Sequence, residues 1–309
     1  MGLLIWNPGI MQRVELIGYD YLIMNTEPVQ NENILIVDLD EDLLKTYGGW
    51  PLPRSLYGDL ITTTNAVPGF TVLMPNPDLR GKDYDEYFAM RMEYTPTVLA
   101  SVVNVQSKLY PSFALELLRV AVGDPSYQLK TTEEGVSWVR IPNYPLMNTD
   151  ANGRIFLNWN TKFYKQTGLE FLEKPIEAPF VIFGTTAEGI TNPVPTPAGA
   201  KYPHEIQANI LHNLITGTAP SQPAWASGVE ILATFIGLLL LAFATRSVYL
   251  SIPALGLIVG GSLYGAWHLY KSSYLFDVSG IVIICIGFWS IHTFLSFLSE
   301  YRQKLRIKQ

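Results

Sequence analysis

The chain has 309 residues, 48% of them hydrophobic and 16% charged, with a formal net charge of −6. Residues 1–223 carry 15 Lys and Arg against 24 Asp and Glu, whereas residues 224–309 carry 6 against 3, so the long first part is acidic and offers no electrostatic case for nucleic acid. A single cysteine, Cys285, excludes an intrachain disulfide.

In chain order, the opening MGLLIWNPGIMQRVELIGYDYLIM is neither a spanning helix nor an ordinary signal peptide, because Pro8, Arg13 and Glu15 follow a short apolar start. Residues 11–24 predict an amphipathic helix with Val14, Ile17, Tyr21 and Met24 on one face, expected to pack on the domain that follows, near the membrane; the helix and its lead-in occupy residues 1–33. ILIVD, residues 34–38, is a β-branched run of the kind buried on both faces of a sheet. A short helix over 41–47, the turn WPLPRS over 50–55, a strand over 70–74, a helix over 82–92, a strand over 97–104 and a helix over 112–122 follow. Strands are predicted over 135–141, 154–159 and 179–183, and a helix over 205–214 stopping at Gly217. Alternating strands and helices predict an α/β domain over 34–217, a mixed sheet flanked by helices, and its size allows one core.

TAPSQPAW, residues 218–225, reads as a linker into three apolar segments of about 226–245, 248–270 and 278–298. Each is near the roughly 20 residues needed to cross about 30 Å of hydrocarbon. Arg302, Lys304, Arg306 and Lys308 of the tail (299–309) and Arg246 of the first loop fall on one side of three crossings, so the positive-inside rule predicts a cytoplasmic tail and residues 1–223 outside. Those bases are expected to meet anionic lipid or a protein partner. In the second segment, Gly256, Gly260, Gly261 and Gly265 form two G-x-x-x-G spacings that suit close helix packing, within this chain's own bundle or against another copy or partner.

Two blocks are specific in combination: ILIVDLDEDLLKTYGGWPLPRSLYGDL, and much later APFVIFGTTAEGITNPVPTPAGAKYPHEIQANILHNLITG before the spans. Together they resemble the second type of CHASE domain, the extracellular sensor associated with bacterial cyclases and histidine kinases. The shared pattern is a strand ending in acid-x-acid, a W-P-x-P-R-S turn, a strand ending in G-T-T-A, a T-P loop and an E-I-x-A-N helix. Asn192 stands where Asp is common, Gln207 where His is frequent, and the middle is shorter than usual. The resemblance implies an envelope sensory or receptor domain of the bacterial inner membrane, coupled through its transmembrane helices to a cytoplasmic output.

Asp38 and Asp40 at a strand end invite a cation, yet Leu43 and Gly49 stand where a calcium loop requires Gly and a bidentate Glu. Capping and a buried pair with Arg54 are the plainer expectation, with Ser55 capping the next helix; a ligand crevice at the strand ends, with Thr185, Thr186 and Glu188 beside Asp38, is the alternative. Trp50, Glu205 and Asn209 complete the candidate polar set. His204, Glu205 and His212 lack the spacing of a helical metal site, and no nucleophile motif or phosphate loop occurs, so neither metal, cofactor nor catalysis is expected. The leading expectation is a sensor of an unidentified small molecule, ion or protein that signals to a separate partner or as a homo-oligomer; the alternative is a non-catalytic structural subunit of an envelope assembly.

Overall fold

The computed structural model describes residues 16–23, 26–100, 111–133, 135–149, 153–223 and 225–307. The chain divides into two compact units: Thr26–Ala219, and Pro220–Gln309 together with a short helix, α1, over residues 16–23. The amphipathic helix therefore groups with the membrane helices and not with the domain that follows it. Of its predicted face Ile17 and Tyr21 are exposed, while Tyr19, Leu22 and Ile23 are inside; Val14 and Met24 lie outside the described residues.

In the first unit the elements run β1 (Val29–Leu39), α2 (Glu41–Thr46), α3 (Arg54–Thr62), β2 (Val67–Phe70), α4 (Lys82–Tyr94), β3 (Val98–Leu99), α5 (Phe113–Val122), β4 (Gln128–Thr132), β5 (Gly135–Arg140), β6 (Met147–Asn148), β7 (Thr161–Thr167), α6 (Gly168–Glu173), β8 (Phe180–Thr185), β9 (Val194–Thr196), β10 (Gly199–Lys201) and α7 (Pro203–Thr216). Five strands make a sheet of order β3-β2-β8-β1-β7 that is parallel throughout. Among the described residues, antiparallel pairing is confined to the β4-β5-β6 sheet and the β9-β10 hairpin.

The β-branched run does what its composition requires. Successive side chains of a strand point to opposite faces, so Leu35, Val37 and Leu39 meet Leu43 of α2, Leu56 and Leu60 of α3 and Phe171 of α6. Ile34 and Ile36 meet Leu117 of α5 and Leu211 of α7 on the other side. The result is a three-layer sandwich with the sheet buried between two helical flanks. Two sequence expectations shift. The predicted strand over 154–159 is extended chain outside any sheet, and the strand lies further on, at β7, where polar Lys162, Lys165 and Gln166 hide the pattern on an edge. The strand over 70–74 begins and ends earlier, at β2.

In the second unit α8 (Ala226–Ala244), α9 (Val248–Tyr270) and α10 (Ser279–Ile307) are each long and apolar enough to cross a membrane. Leu240, Phe243, Leu250, Leu257, Ile291 and Phe294 are exposed, as side chains facing lipid should be. Ser221 and Leu275 bond across to one another's strands of loop, Ser221 N donating to Ser273 O and Leu275 N to Ser221 O, at 2.9 and 3.0 Å. Glu230 Oε1 accepts from Asp277 N at 2.9 Å. These bonds put the start of α8 and the α9–α10 connection at one end of the bundle, as an up-down-up path requires. The helix of α10 continues without a break through the predicted tail as far as Ile307.

Candidate functional site

β1 and β8 are neighbours, yet the chain leaves them toward opposite faces: β1 leads to α2 and α3 on the Leu35–Val37–Leu39 side, and β8 leads to α7 on the Ile34–Ile36 side. Their carboxyl ends therefore form a topological switch point, where open α/β sheets bind ligands. Asp38, Asp40, Thr185, Thr186 and Glu188 are all brought to it. There Asp38 lies opposite Gly184, and Leu39 opposite Thr185.

The polar groups at this point are spent on one another. Oδ1 of Asp38 sits 2.7 Å from Nε2 of His204, the second residue of α7, whose ring is 1% exposed and stacks on Tyr202 at 5.9 Å. Room for the imidazole exists because residue 184 is glycine: a Cβ there would lie 2.2 Å from His204 Nδ1. Asp40 caps α2 by accepting from Leu43 N at 3.0 Å. Thr185 Oγ1 donates to Leu39 O at 3.1 Å and accepts from Ala187 N at 3.3 Å. Thr186 N also donates to Leu39 O, and Glu188 N donates to Glu41 Oε1, both at 3.3 Å.

Arg54 is not part of this cluster, which overturns its expected pairing with Asp38 or Asp40. Its Nε donates to Asp85 Oδ1 at 3.3 Å and its Nη2 to Asn76 O at 2.8 Å. Ser55 does not cap α3 either. The helix begins one residue earlier, after Pro53, and Asp78 Oδ2 accepts from Arg54 N at 2.6 Å. Burial alone would raise Asp78, but N–H bonds from Arg54 and Arg80 outweigh it and hold the carboxyl below the usual range. In the same turn Trp50 is 40% exposed and Pro51 O accepts from Arg80 Nη1 at 3.0 Å. The W-P-x-P-R-S block is thus a structural corner held by acids from residues 78 and 85.

The second polar group lies along α7, between that helix and the chain of β1, β7 and the residues just before β7. Glu205, Asn209, His212 and Asn213 are all buried, an unusual density of polar side chains for one helix. Glu205 Oε1 pairs with Lys165 Nζ and lies 3.9 Å from Lys201 Nζ, and its Oε2 accepts from Tyr202 N at 2.6 Å. Asn213 Oδ1 accepts from Asn158 N at 3.0 Å, and its Nδ2 donates to Asn158 O at 3.1 Å and Asn209 O at 2.8 Å. His212 Nδ1 is 2.7 Å from Asn31 Nδ2. The Asn31 amide is oriented by its Oδ1, which accepts from Asn33 N and Ile34 N at 2.9 and 3.0 Å. Nδ2 must then donate, and His212 Nδ1 must accept, which fixes a neutral imidazole. Burial pushes the His212 pKa below its ordinary 6.5 in the same direction.

A cavity of about 220 Å³ opens on this flank, lined among others by Gln30, Lys162, Lys165, Lys201, Glu205 and Asn209. Asn209 is 3% exposed, and its Oδ1 has no hydrogen-bond partner among the described residues. Of the residues predicted from sequence, Glu205 and Asn209 belong here and not to the strand ends. His204, Gly184, Asn31 and Lys165 were not singled out as partners. The signal within reach was a glycine closing a fully buried strand, which marks a close approach by another element.

A family model for the CHASE2 domain matches residues 1–245. The chain belongs to the CHASE2 family. The match takes in both the WPLPRS and the FGTTAEG blocks and ends just after α8, so it includes the first apolar helix. CHASE2 is an extracellular sensory, non-catalytic domain family. No curated protein and no solved structure matches the chain.

The predicted packing glycines of α9 do not pack within the chain's own bundle. A Cβ at Gly256, Gly260, Gly261 or Gly265 would meet nothing within 4 Å. The close approach is instead at Gly237 of α8, where a Cβ would lie 3.3 Å from both Cys285 Sγ and Ile258.

Proposed function

We propose that this CHASE2 chain is an extracytoplasmic sensor of a bacterial inner membrane, whose α/β domain passes its state through the helices to a separate cytoplasmic partner. The observation that carries the reading is the placement of α7. This one helix holds His204 against the switch point, Glu205 against Lys165 of β7 and His212 against Asn31 of β1, and the chain from it enters α8 after residues 217–225. A ligand that alters the polar contacts of α7 differently in two states would bias the segment leading into the membrane. Arg246, Arg302, Lys304, Arg306 and Lys308 support a cytoplasmic tail and an outward domain. The open glycine face of α9 suits a second copy or a membrane partner.

The test is a cysteine-accessibility map in a Cys285→Ser background, with single cysteines at Glu93, Tyr249 and Lys308, in sealed native membranes. Labelling of position 93 by an impermeant maleimide from outside, with position 308 protected, supports the orientation; the reverse sinks it. Gly184→Ala, which forces His204 off Asp38, should change the rate at which a membrane-permeant maleimide labels position 249, on the cytoplasmic side, if α7 is coupled to the helices. Unchanged labelling at 249 would leave a non-catalytic structural subunit as the reading, which the internally bonded strand ends also suit.

A further inference from the structure

The structure assigns a ligand site to the flank between α7 and β7: the 220 Å³ cavity takes a small organic anion whose charged head meets Lys162, Lys165 and Lys201 and whose neighbouring hydroxyl or ammonium donates to Asn209 Oδ1. This deepens the sensor reading and rests on it for its biological meaning, but the chemistry stands on the cavity itself.

Three features select that class. Lysine cations outnumber the single carboxylate, Glu205, whose oxygens are already taken by Lys165 and the N–H of Tyr202. The free attraction in the site is therefore for negative charge. Asn209 lines the cavity and is buried, and a buried acceptor without a donor is costly, so a ligand that brings an O–H or N–H to it gains specificity over one that does not. The volume falls below the roughly 300–1,000 Å³ of pockets for drug-sized molecules, which limits the occupant to a small hydroxy or amino acid or a small phosphate monoester.

The local fold builds this opening. β1 and β7 pair in register at Asn31 opposite Phe163 and resume only at Leu35 opposite Tyr164, so the ladder is broken beside the cavity. A ligand bridging Lys162 of β7 and Asn209 of α7 would tie the edge strand to the helix that leads into the membrane.

The experiment uses the full chain in nanodiscs, titrated calorimetrically with lactate, alanine and glycerol 3-phosphate, and with propionate and propyl phosphate as partners lacking the adjacent donor. We expect saturable one-to-one binding of a donor-bearing anion, about tenfold or more tighter than its donor-less counterpart. Lactate or alanine binding marks a carboxylate ligand, and glycerol 3-phosphate a phosphate monoester. Asn209→Leu should remove about tenfold or more of that affinity while leaving the unliganded melting temperature unchanged or raised. Lys162→Met, at an exposed position, should weaken binding without affecting folding. The assignment is overturned if none of the three anions binds, if propionate or propyl phosphate binds equally well, or if binding survives both substitutions. A chain that binds none of them yet shows the α7-dependent labelling change keeps its sensor function and loses this site; binding without that change loses the relay alone.

Discussion

The two helical flanks of the sheet are built from different chemistry. On the α2–α3–α6 side the interior is apolar and aromatic: Phe183 stacks on Phe70 at 4.6 Å and meets Phe171 edge-on at 5.3 Å, with Tyr57 against Phe70 at 5.5 Å. On the α7 side the same sheet buries His204, Glu205, Asn209, His212 and Asn213 among its aliphatic residues. Apolar contacts are non-directional and tolerate no competitor, whereas a buried polar row has discrete partners that can be exchanged or titrated. One flank therefore fixes the fold, and the other holds the groups through which the domain can respond.

The largest break in this contrast should come from the apolar side. Phe183→Ala removes a fully buried ring from the aromatic stack and should cost about 3–5 kcal/mol, read by denaturant unfolding in detergent. Next is Gly184→Ala, one residue along the same strand. Its Cβ would fall 2.2 Å from the His204 ring, which must move away from Asp38 and lose its packing on Tyr202. Overpacking of this kind costs roughly 1–3 kcal/mol. Its signature should differ from that of Phe183→Ala: the imidazole resonances of His204 should shift as the Asp38 contact is lost, while the Phe70 and Phe171 environment is retained. If both variants perturb the same resonances, the two flanks are not separable.

The apolar flank was the legible one. ILIVD announces a strand buried on both sides, and its two alternating faces lead directly to two cores, because burial follows from composition and period alone. The acid-x-acid ending was also visible, but the partner of Asp38 was not: His204 is 166 residues away, and only the parallel pairing of β1 with β8 brings it near. Arg54 was misplaced for the same reason, since a nearby acid in sequence, Asp38 or Asp40, competed with Asp85 from a helix that sequence cannot dock. β7 was missed because an edge strand carrying lysines satisfies no burial pattern. The glycines of α9 show the limit in the membrane: their spacing reveals that a close approach is possible, not which surface makes it.

A smaller effect should sharpen the contrast from the apolar side. Thr167 ends β7 and caps α6, its Oγ1 accepting from Glu170 N at 3.3 Å while Glu170 Oε2 accepts from Thr167 N at 2.9 Å. Thr167→Ala should cost about 1 kcal/mol with no change in how stability depends on pH, because the cap it removes is not a titrating imidazole.

The dependence on pH should reside in the α7 flank. His212 is held neutral by the Asn31 amide, and burial depresses its pKa below 6.5, whereas in the unfolded chain it titrates at its ordinary value. Above pH 6.5 the ring is neutral in both states and its contribution to stability is fully present. As pH falls below that value the unfolded chain takes up the proton first, and stability declines until the folded ring is protonated as well, against an Asn31 Nδ2 that can only donate. Unfolding midpoints measured between about pH 8 and pH 5 should therefore fall toward acid. His212→Phe should be less stable at neutral pH, because Asn31 Nδ2 loses its acceptor, yet should show a shallower decline over the same range. An unaltered slope in that variant would move the pH response to another group, and with it the claim that the polar row of α7 is the responsive side of the sheet.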